Sequence, residues 1–468
     1  MNRRTFLGAL GRGAAGAAAA TLLRDAAAAP DPAPPNIVFI LIDDMGWADL
    51  ACYGSTYHES PHIDRLATQG MRFTDAYAAC PVCSPTRASI VTGKYPATVN
   101  LTDFIAGHWR PYAKLVVPKF NLNLPAEEVT LPEALKKAGY TSACFGKWHL
   151  GGRGSGPADH GFDTSGSAPN QGDKRVAGLT DKAIGFITAN KDKPFFLYLS
   201  HHTVHIPLEA PRELVEKYRK KLKPGQEFPQ QANPTYAAMV EHLDSHVGRL
   251  LAKLDELKLA ERTLVVFFSD NGGLHKIYTG RGSWTTSNAP LRDEKGTLYE
   301  GGIRVPLIVR WPGVVKPRTV CTVPVSSVDF YPTLLELAGA QGDPKHVPDG
   351  ESLMPLLKQA GSLKRNAIFW HYPHYHHTAP CGAVRQGKHK LIEFFEDGTL
   401  ELYDLESDLG EKANLAAKLP EKAAELRKVL AAWRQRVHAK MPTPNPNHDP
   451  ARAGEWGRRG RPRPKTKK

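Results

Sequence analysis

A chain of 468 residues is long enough for two or three domains, or for one large domain with a small companion. With 41% hydrophobic and 23% charged residues it is not disordered or fibrous over its bulk, and no run of eighteen apolar residues could form a membrane-spanning helix. The net charge of +14 resolves into +7 over residues 452–468 and +3 over residues 1–29, which leaves +4 for everything between. The charge therefore sits at the ends and does not mark a nucleic-acid surface.

Residues 1–29 read as an export signal rather than as fold. Arg3-Arg4-Thr5-Phe6-Leu7 precedes an Ala-rich stretch, and Ala26 to Ala29 offer a small-residue cleavage site before Pro30. The paired arginines carry the mark of bacterial twin-arginine (Tat) export, which predicts a Tat translocon as partner and a periplasmic or extracellular destination. The competing reading is an Ala-rich helix with two chance arginines. Residues 30–35 (PDPAPP) form a stiff linker.

Residues 36–42 (NIVFILI) are continuously apolar and β-branched, the pattern of a strand buried on both faces, and they end at Asp43-Asp44. Residues 194–199 (PFFLYL) repeat the pattern and end at His201-His202, with His205 beyond. Residues 236–257 have helical periodicity through Met239, Leu243, Val247, Leu250, Leu251 and Leu254. Residues 263–268 (TLVVFF) form another such run, ending at Asp270-Asn271. Strands alternating with helices predict an α/β domain over residues 30–362, with a mostly parallel central sheet flanked by helices. Ligands in such sheets gather beyond the strands' carboxyl ends, where all three runs place charged or imidazole groups.

After residue 362 the pattern changes. Residues 367–370, 389–394 and 400–403 read as short strands, with Asp397-Gly398 turning between the last two, and residues 420–437 read as a closing helix through Leu426, Leu430 and Trp433. This predicts a small α+β domain with an antiparallel sheet over residues 363–445. A basic tail over residues 446–468 is expected to be disordered.

The sharpest motif is Cys83-Ser84-Pro85-Thr86-Arg87, followed by an apolar pair and Thr92-Gly93. It resembles the type I sulfatase signature of the alkaline phosphatase superfamily. Residues 139–149, 291–306 and 403–415 also resemble that family, in family order, so the likeness runs from about residue 36 to residue 437. The resemblance implies that a maturation enzyme converts Cys83 to formylglycine, an aldehyde that hydrates to a geminal diol. One hydroxyl attacks sulfur and expels the alcohol. The other loses its proton to regenerate the aldehyde and release sulfate, a step for which a serine has no second hydroxyl.

Two strand-end carboxylates with an Asp-Asn pair are hard oxygen donors suited to calcium or magnesium. The resemblance assigns calcium to Asp43, Asp44, Asp270 and Asn271, with an oxygen of the modified Cys83. Lys147, His149, His205 and Lys295 match positions that hold the anion and serve proton transfer, and Arg87 lies one helical turn beyond Cys83. His149 is expected to hold a hydroxyl of the diol. A cationic His205, or Lys295, is expected to assist the leaving oxygen. Asp293 and Glu294 stand beside Lys295 and would oppose an anion unless they point away. The run of residues 371–377 (HYPHYHH) is expected over the pocket, with His371 and His374 contacting substrate. A sulfated carbohydrate is the expected substrate.

Other readings compete. A Cys80-Cys83 redox or metal pair lacks a second C-x-x-C, and a disulfide through Cys80 or Cys52 fits an exported protein. The same superfamily resemblance admits a phosphonate or phosphodiester hydrolase. With Cys83 unconverted, the chain would be a non-catalytic binder of sulfated glycans.

Overall fold

The computed structural model describes residues 34–276 and 284–457. The expected export signal at 1–29 and the last part of the basic tail lie outside the described residues. An eight-stranded sheet runs in the order Thr319–Cys321, Met71–Phe73, Leu307–Arg310, Thr263–Ser269, Asn36–Ile42, Phe195–Ser200, Thr141–Gly146 and Thr164–Gly166. Leu307–Arg310 pairs antiparallel with both neighbours, and the remaining pairings are parallel.

The Asn36–Ile42 strand shows why its sequence carries no polar alternation. Ile37, Phe39 and Leu41 enter one core with Ile90 of the Cys83–Thr92 helix, Leu135 of the Leu131–Lys137 helix and Phe330 of the Phe330–Ala338 helix. Val38, Ile40 and Ile42 enter the other, against helices Pro61–Thr68, Val176–Ala189 and Pro234–Glu256. A strand covered on both faces needs apolar side chains at every position. The expected helix of residues 236–257 is Pro234–Glu256, with proline at its start and the Asn233 side chain accepting from the Thr235 and Tyr236 amides.

The C-terminal region forms a four-stranded antiparallel sheet of Ala367–Tyr372, Cys381–Gln386, His389–Phe394 and Leu400–Asp404. One face packs Val384, Leu391 and Leu402 against Leu426, Leu430 and Trp433 of the Pro420–Arg436 helix. The other puts Trp370, Tyr372 and Ile392 against Tyr77, Val82 and Ile303 of the large sheet's surroundings. Both sheets belong to one compact unit that begins at Pro34.

The tail expected to be disordered from residue 446 is ordered as far as Gly457. Just before it Thr443–Pro444 pairs with Leu115–Val116 and the Asn445 amide donates to the carbonyls of Pro111 and Ala113 at 3.0 and 2.7 Å. Within it the Asp449 amide donates to the Tyr112 carbonyl at 3.1 Å, and the Arg452 guanidinium lies 3.5 Å from the centre of the Tyr112 ring. These bonds reach backbone carbonyls of a distant loop, so the segment's polar composition does not reveal them.

Candidate active site

Four adjacent parallel strands end on the same edge of the sheet. Asn36–Ile42 delivers Asp43 and Asp44, Thr263–Ser269 delivers Asp270 and Asn271, Phe195–Ser200 leads to His201, His202 and His205, and Thr141–Gly146 leads to Lys147 and His149. Backbone bonds continue the ladder past the strand ends: Asp270 donates to the Ile42 carbonyl at 3.0 Å, and Lys147 to the Ser200 carbonyl at 2.9 Å. Gly146 has φ +104°, and a Cβ there would stand 1.8 Å from the Ser200 oxygen, so only glycine lets these two strands close up. Asp44 and His149 adopt left-handed backbone conformations, at φ +67° and +57°, which non-glycine residues seldom take outside sites that need them.

Cys83 is the first residue of a wholly buried helix, so it sits where free amides and the positive end of the helix dipole favour negative charge. Arg87, one turn on, donates from Nε and Nη2 to Asp270 Oδ2 at 2.9 and 2.7 Å, and from Nη1 to the Lys147 carbonyl and Ser200 Oγ. Lys147 Nζ donates to both oxygens of Asp43 at 2.8 and 2.7 Å. Lys295 Nζ holds Asp44 at 2.7 Å, and Asn271 Nδ2 donates to Asp44 Oδ1 at 2.8 Å.

Burial would raise all three acids, but Lys147, His205, Arg87 and Lys295 hold Asp43 well below the usual range, and Lys295 and His205 lower Asp44. Asp270 goes the other way. Burial, opposed by Arg87 and reinforced by the charges of Asp43 and Cys83, pushes it up to about 8. Each carboxylate faces a cation, and for Asp270 that cation does not overcome burial and the neighbouring negative charge.

The donor chemistry fits a hard divalent cation. Ligand atoms of Asp43, Cys83 and Asp270 lie within 4.8 Å of one another, as do those of Asp43, Asp44 and His205. Asn271 Oδ1 is buried with no hydrogen-bond partner, an acceptor whose desolvation nothing yet offsets. Asp43, Asp44, Asp270 and Asn271 could hold such an ion, whose charge would oppose the burial and the neighbouring negative charge that raise Asp270.

His149 Nε2 lies 2.6 Å from the Ile105 carbonyl, which places the ring proton on Nε2 and leaves Nδ1, buried and unpartnered, as an acceptor. Burial, then Lys147, pushes its pKa down to about 4, so the ring is neutral. His205 Nδ1 lies 2.5 Å from the Ile206 carbonyl, and Nε2 lies 3.7 Å from Asp44. Its pKa falls through burial, with Asp44 opposing and Lys295 adding to the fall. In the protein alone the ring therefore takes up a proton less readily than a free imidazole.

His371 and His374 do not face the site. The first C-terminal strand runs to Tyr372, two residues beyond its expected end, and takes His371 into the sheet, where Nε2 meets the Lys440 carbonyl at 3.0 Å. His374 is wholly buried, with Nε2 2.8 Å from Thr102 Oγ1 and its ring beside Phe120. The rest of the run reaches the site instead. His376 packs over Gly296, where a Cβ would stand 2.0 Å from its Nδ1, and His377 Nδ1 is 3.5 Å from Glu294.

Glu294 points away from the cation pocket, accepting from the His275 amide at 2.5 Å, and Arg292 donates to Tyr403 Oη and the Glu411 carbonyl. His202 was placed at a strand end by the sequence but given no role, and Lys174 escaped the sequence reading. Burial pushes His202 to about 4, with the charges of Asp43, Arg87 and Lys147 acting on it, and burial lowers Lys174, opposed chiefly by Asp43. All six cysteines are unpaired, so no disulfide forms through Cys80 or Cys52, and the buried Cys80 thiol donates to the Thr102 carbonyl at 3.9 Å.

The sulfatase family model matches residues 35–340, and the model for the C-terminal region of N-sulphoglucosamine sulphohydrolase matches residues 293–438. A sulfatase of Formosa agariphila is 33% identical over 85% of this chain and 88% of its own. Human arylsulfatase A is 32% identical over 86% of this chain and 87% of its own. Among solved structures, Ps i-CgsB in complex with k-i-k-neocarrahexaose superposes with a TM-score of 0.73 at 27% identity, covering 86% of this chain and 92% of that one. The phosphonate monoester hydrolase of Agrobacterium radiobacter shares the fold at a TM-score of 0.66 and 19% identity, over 86% and 96% of the two chains. With the family model spanning the sheet that carries the acids and cations, and relatives matching most of both chains, the chain belongs to the sulfatase family and is a sulfuric ester hydrolase.

Proposed function

We propose that the protein is an exported sulfatase that hydrolyses sulfate monoesters on a sulfated glycan, using formylglycine formed from Cys83 and a calcium ion. The observation that carries this reading is the buried Cys83 at a helix start, with its sulfur within 4.8 Å of Asp43 and Asp270 ligand atoms. The hydrated aldehyde supplies a nucleophilic hydroxyl, and the cation supplies charge that polarises the sulfuryl oxygens.

The chain's own residues do the rest. Lys147 and Lys295 place two ammonium groups where sulfate oxygens would lie, and Arg87 fixes the Asp270 carboxylate. His149 accepts a hydroxyl proton at Nδ1, the nitrogen that carries no proton in this structure. His205 Nε2 gives a proton to the leaving oxygen after the anionic substrate has raised its affinity for one. A glycan substrate is supported by the oligosaccharide bound to Ps i-CgsB. Export through the Tat translocon rests on Arg3-Arg4 and the stretch that follows. The maturation enzyme follows from the formylglycine.

The test is the state of Cys83 in protein from its native host or one with a working maturation system. After reduction, iodoacetamide treatment and trypsin, the peptide Phe73 to Arg87 is weighed, with Cys80 as the internal alkylation control. An alkylated Cys80 beside an aldehyde at position 83 is the expected result. Two alkylated thiols would replace hydrolysis with binding of sulfated glycans. A large preference for matched phosphodiesters over sulfate esters would move the activity to the phosphonate hydrolase class.

A further inference from the structure

The ordered C-terminal segment ends beside the site. Gly457 donates to the Trp109 carbonyl at 2.9 Å, and the Trp456 ring stacks on His108 at 4.5 Å between centroids. His108 in turn meets His376 at 4.9 Å, and His376 covers Gly296, next to Lys295. The loop carrying His108 also reaches the nucleophile's surroundings. Ile105 donates its amide to Ser84 Oγ at 3.1 Å, and its carbonyl is the partner of His149. One wall beside the site is thus built from three distant pieces of chain.

Arg110 lies in that wall. Its guanidinium stands 4.2 Å from the Trp456 ring centre and 5.6 Å from that of Tyr375, and Nη2 donates to the His376 carbonyl at 3.1 Å. Its Nε is buried with no hydrogen-bond partner, and no described carboxylate lies within ion-pair distance. Glu396, an acid that acts on it electrostatically, is engaged by the Tyr375 hydroxyl. Two rings hold the guanidinium in place but do not neutralise it. A half-buried cation without a counter-ion costs stability unless something returns the charge, and a planar guanidinium with free N–H groups suits an oxyanion.

We infer that Arg110, positioned by Trp456 and Tyr375, is a second anion site that takes a further sulfate of a multiply sulfated glycan while the scissile sulfate occupies the catalytic pocket. This inference rests on the glycan reading above and adds to it a requirement for at least two sulfates. Trp456 is a positioning residue: it orients the guanidinium from the C-terminal segment.

Binding to the full chain carrying Cys83→Ala tests this without turnover. The probes are heparin and carrageenan hexasaccharides, with 4-nitrocatechol sulfate as the single-sulfate reference. At least one hexasaccharide binds tenfold or more tightly than the reference. Arg110→Gln removes about tenfold or more of that preference and leaves the reference unchanged, the scale of a lost charge-assisted contact. Arg110→Lys retains most of the preference. Trp456→Ala, at an exposed ring, loses part of it. Removing residues 458–468, which carry seven Lys or Arg and no acid, leaves it in place. The inference is overturned if no hexasaccharide is preferred, if the preference survives Arg110→Gln, or if it leaves with residues 458–468. Failure of the hydrolase reading is seen separately, as absent turnover of 4-nitrocatechol sulfate by matured protein with an intact Arg110.

Discussion

Asp43, Asp44 and Asp270 each have a dedicated cation, and the three pairings differ in how much protein stands behind them. Arg87 is fully buried and ties Asp270 to the Lys147 carbonyl and Ser200, whereas Lys147 reaches Asp43 alone from a side chain that stays 13% exposed. Removing Lys147 therefore strips the pocket of an ammonium without removing the last cation from Asp43, because Arg87 Nη2 remains 3.6 Å away. Lys147→Ala is expected to lower kcat on an aryl sulfate by about 10²–10³-fold, the range for losing one preorganised electrostatic donor, with an unchanged circular dichroism spectrum. Asp43 and Asp270 were legible because each closes an apolar run, and Lys147 and His149 because they sit in a motif. Lys174 offered no comparable signal, since it lies in a polar turn and gains meaning only from approach to Asp43. His371 misled because strand length decides which histidines of the run are buried, and the strand's end is weakly marked.

At the scale of elements, the long parallel strands were readable and the short ones were not. Asn36–Ile42 and Thr263–Ser269 are wholly buried runs, but Met71–Phe73, Thr164–Gly166 and Thr319–Cys321 have three residues each, too few for any periodicity. Cys381–Gln386 contains Gly382 and Arg385, which blur the pattern of a strand that is nonetheless central in its sheet. Part of the join between the two sheets was also invisible, because beside the apolar contact it is ionic. Lys390, fully buried on the His389–Phe394 strand, meets Glu300 at 2.8 Å and Glu411 at 2.9 Å, while Glu300 also binds Arg304 at 2.6 Å. Burial opposes the charge on Glu300, and Lys390 and Arg304 overcome it. Lys390→Met takes the paired cation from buried Glu411 and one of two from buried Glu300. It is expected to lower the free energy of unfolding by about 3–5 kcal/mol, read as a lower urea midpoint.

For the whole molecule, buried neutral histidines set the response to acid. Burial pushes His149, His202, His371, His374 and His377 each down to about 4, and His201 to about 3, from the ordinary 6.5. A folded-state pKa below the unfolded one means stability that is complete above pH 6.5 and is lost as pH falls from there toward 4. Each ring at about 4 then costs up to about 3 kcal/mol, and His201 up to about 5 kcal/mol. His374→Gln, which keeps a polar partner for Thr102 but cannot titrate, is expected to move the acid-unfolding midpoint, followed by tryptophan fluorescence, to lower pH. The parallel topology carries a different consequence, for the time during which the chain is being made. Asn36–Ile42 occupies the middle of the sheet and pairs on one side with Phe195–Ser200 and on the other with Thr263–Ser269, the second partner 227 residues later at Ile42 and Ser269. At ~5–20 residues per second, synthesis keeps that strand, apolar from Ile37 to Ile42, waiting for its second neighbour for about 10–45 s. Until then a nascent chain presents a strand of six consecutive hydrophobic residues with at least one edge unpaired, a ready site for a chaperone to hold.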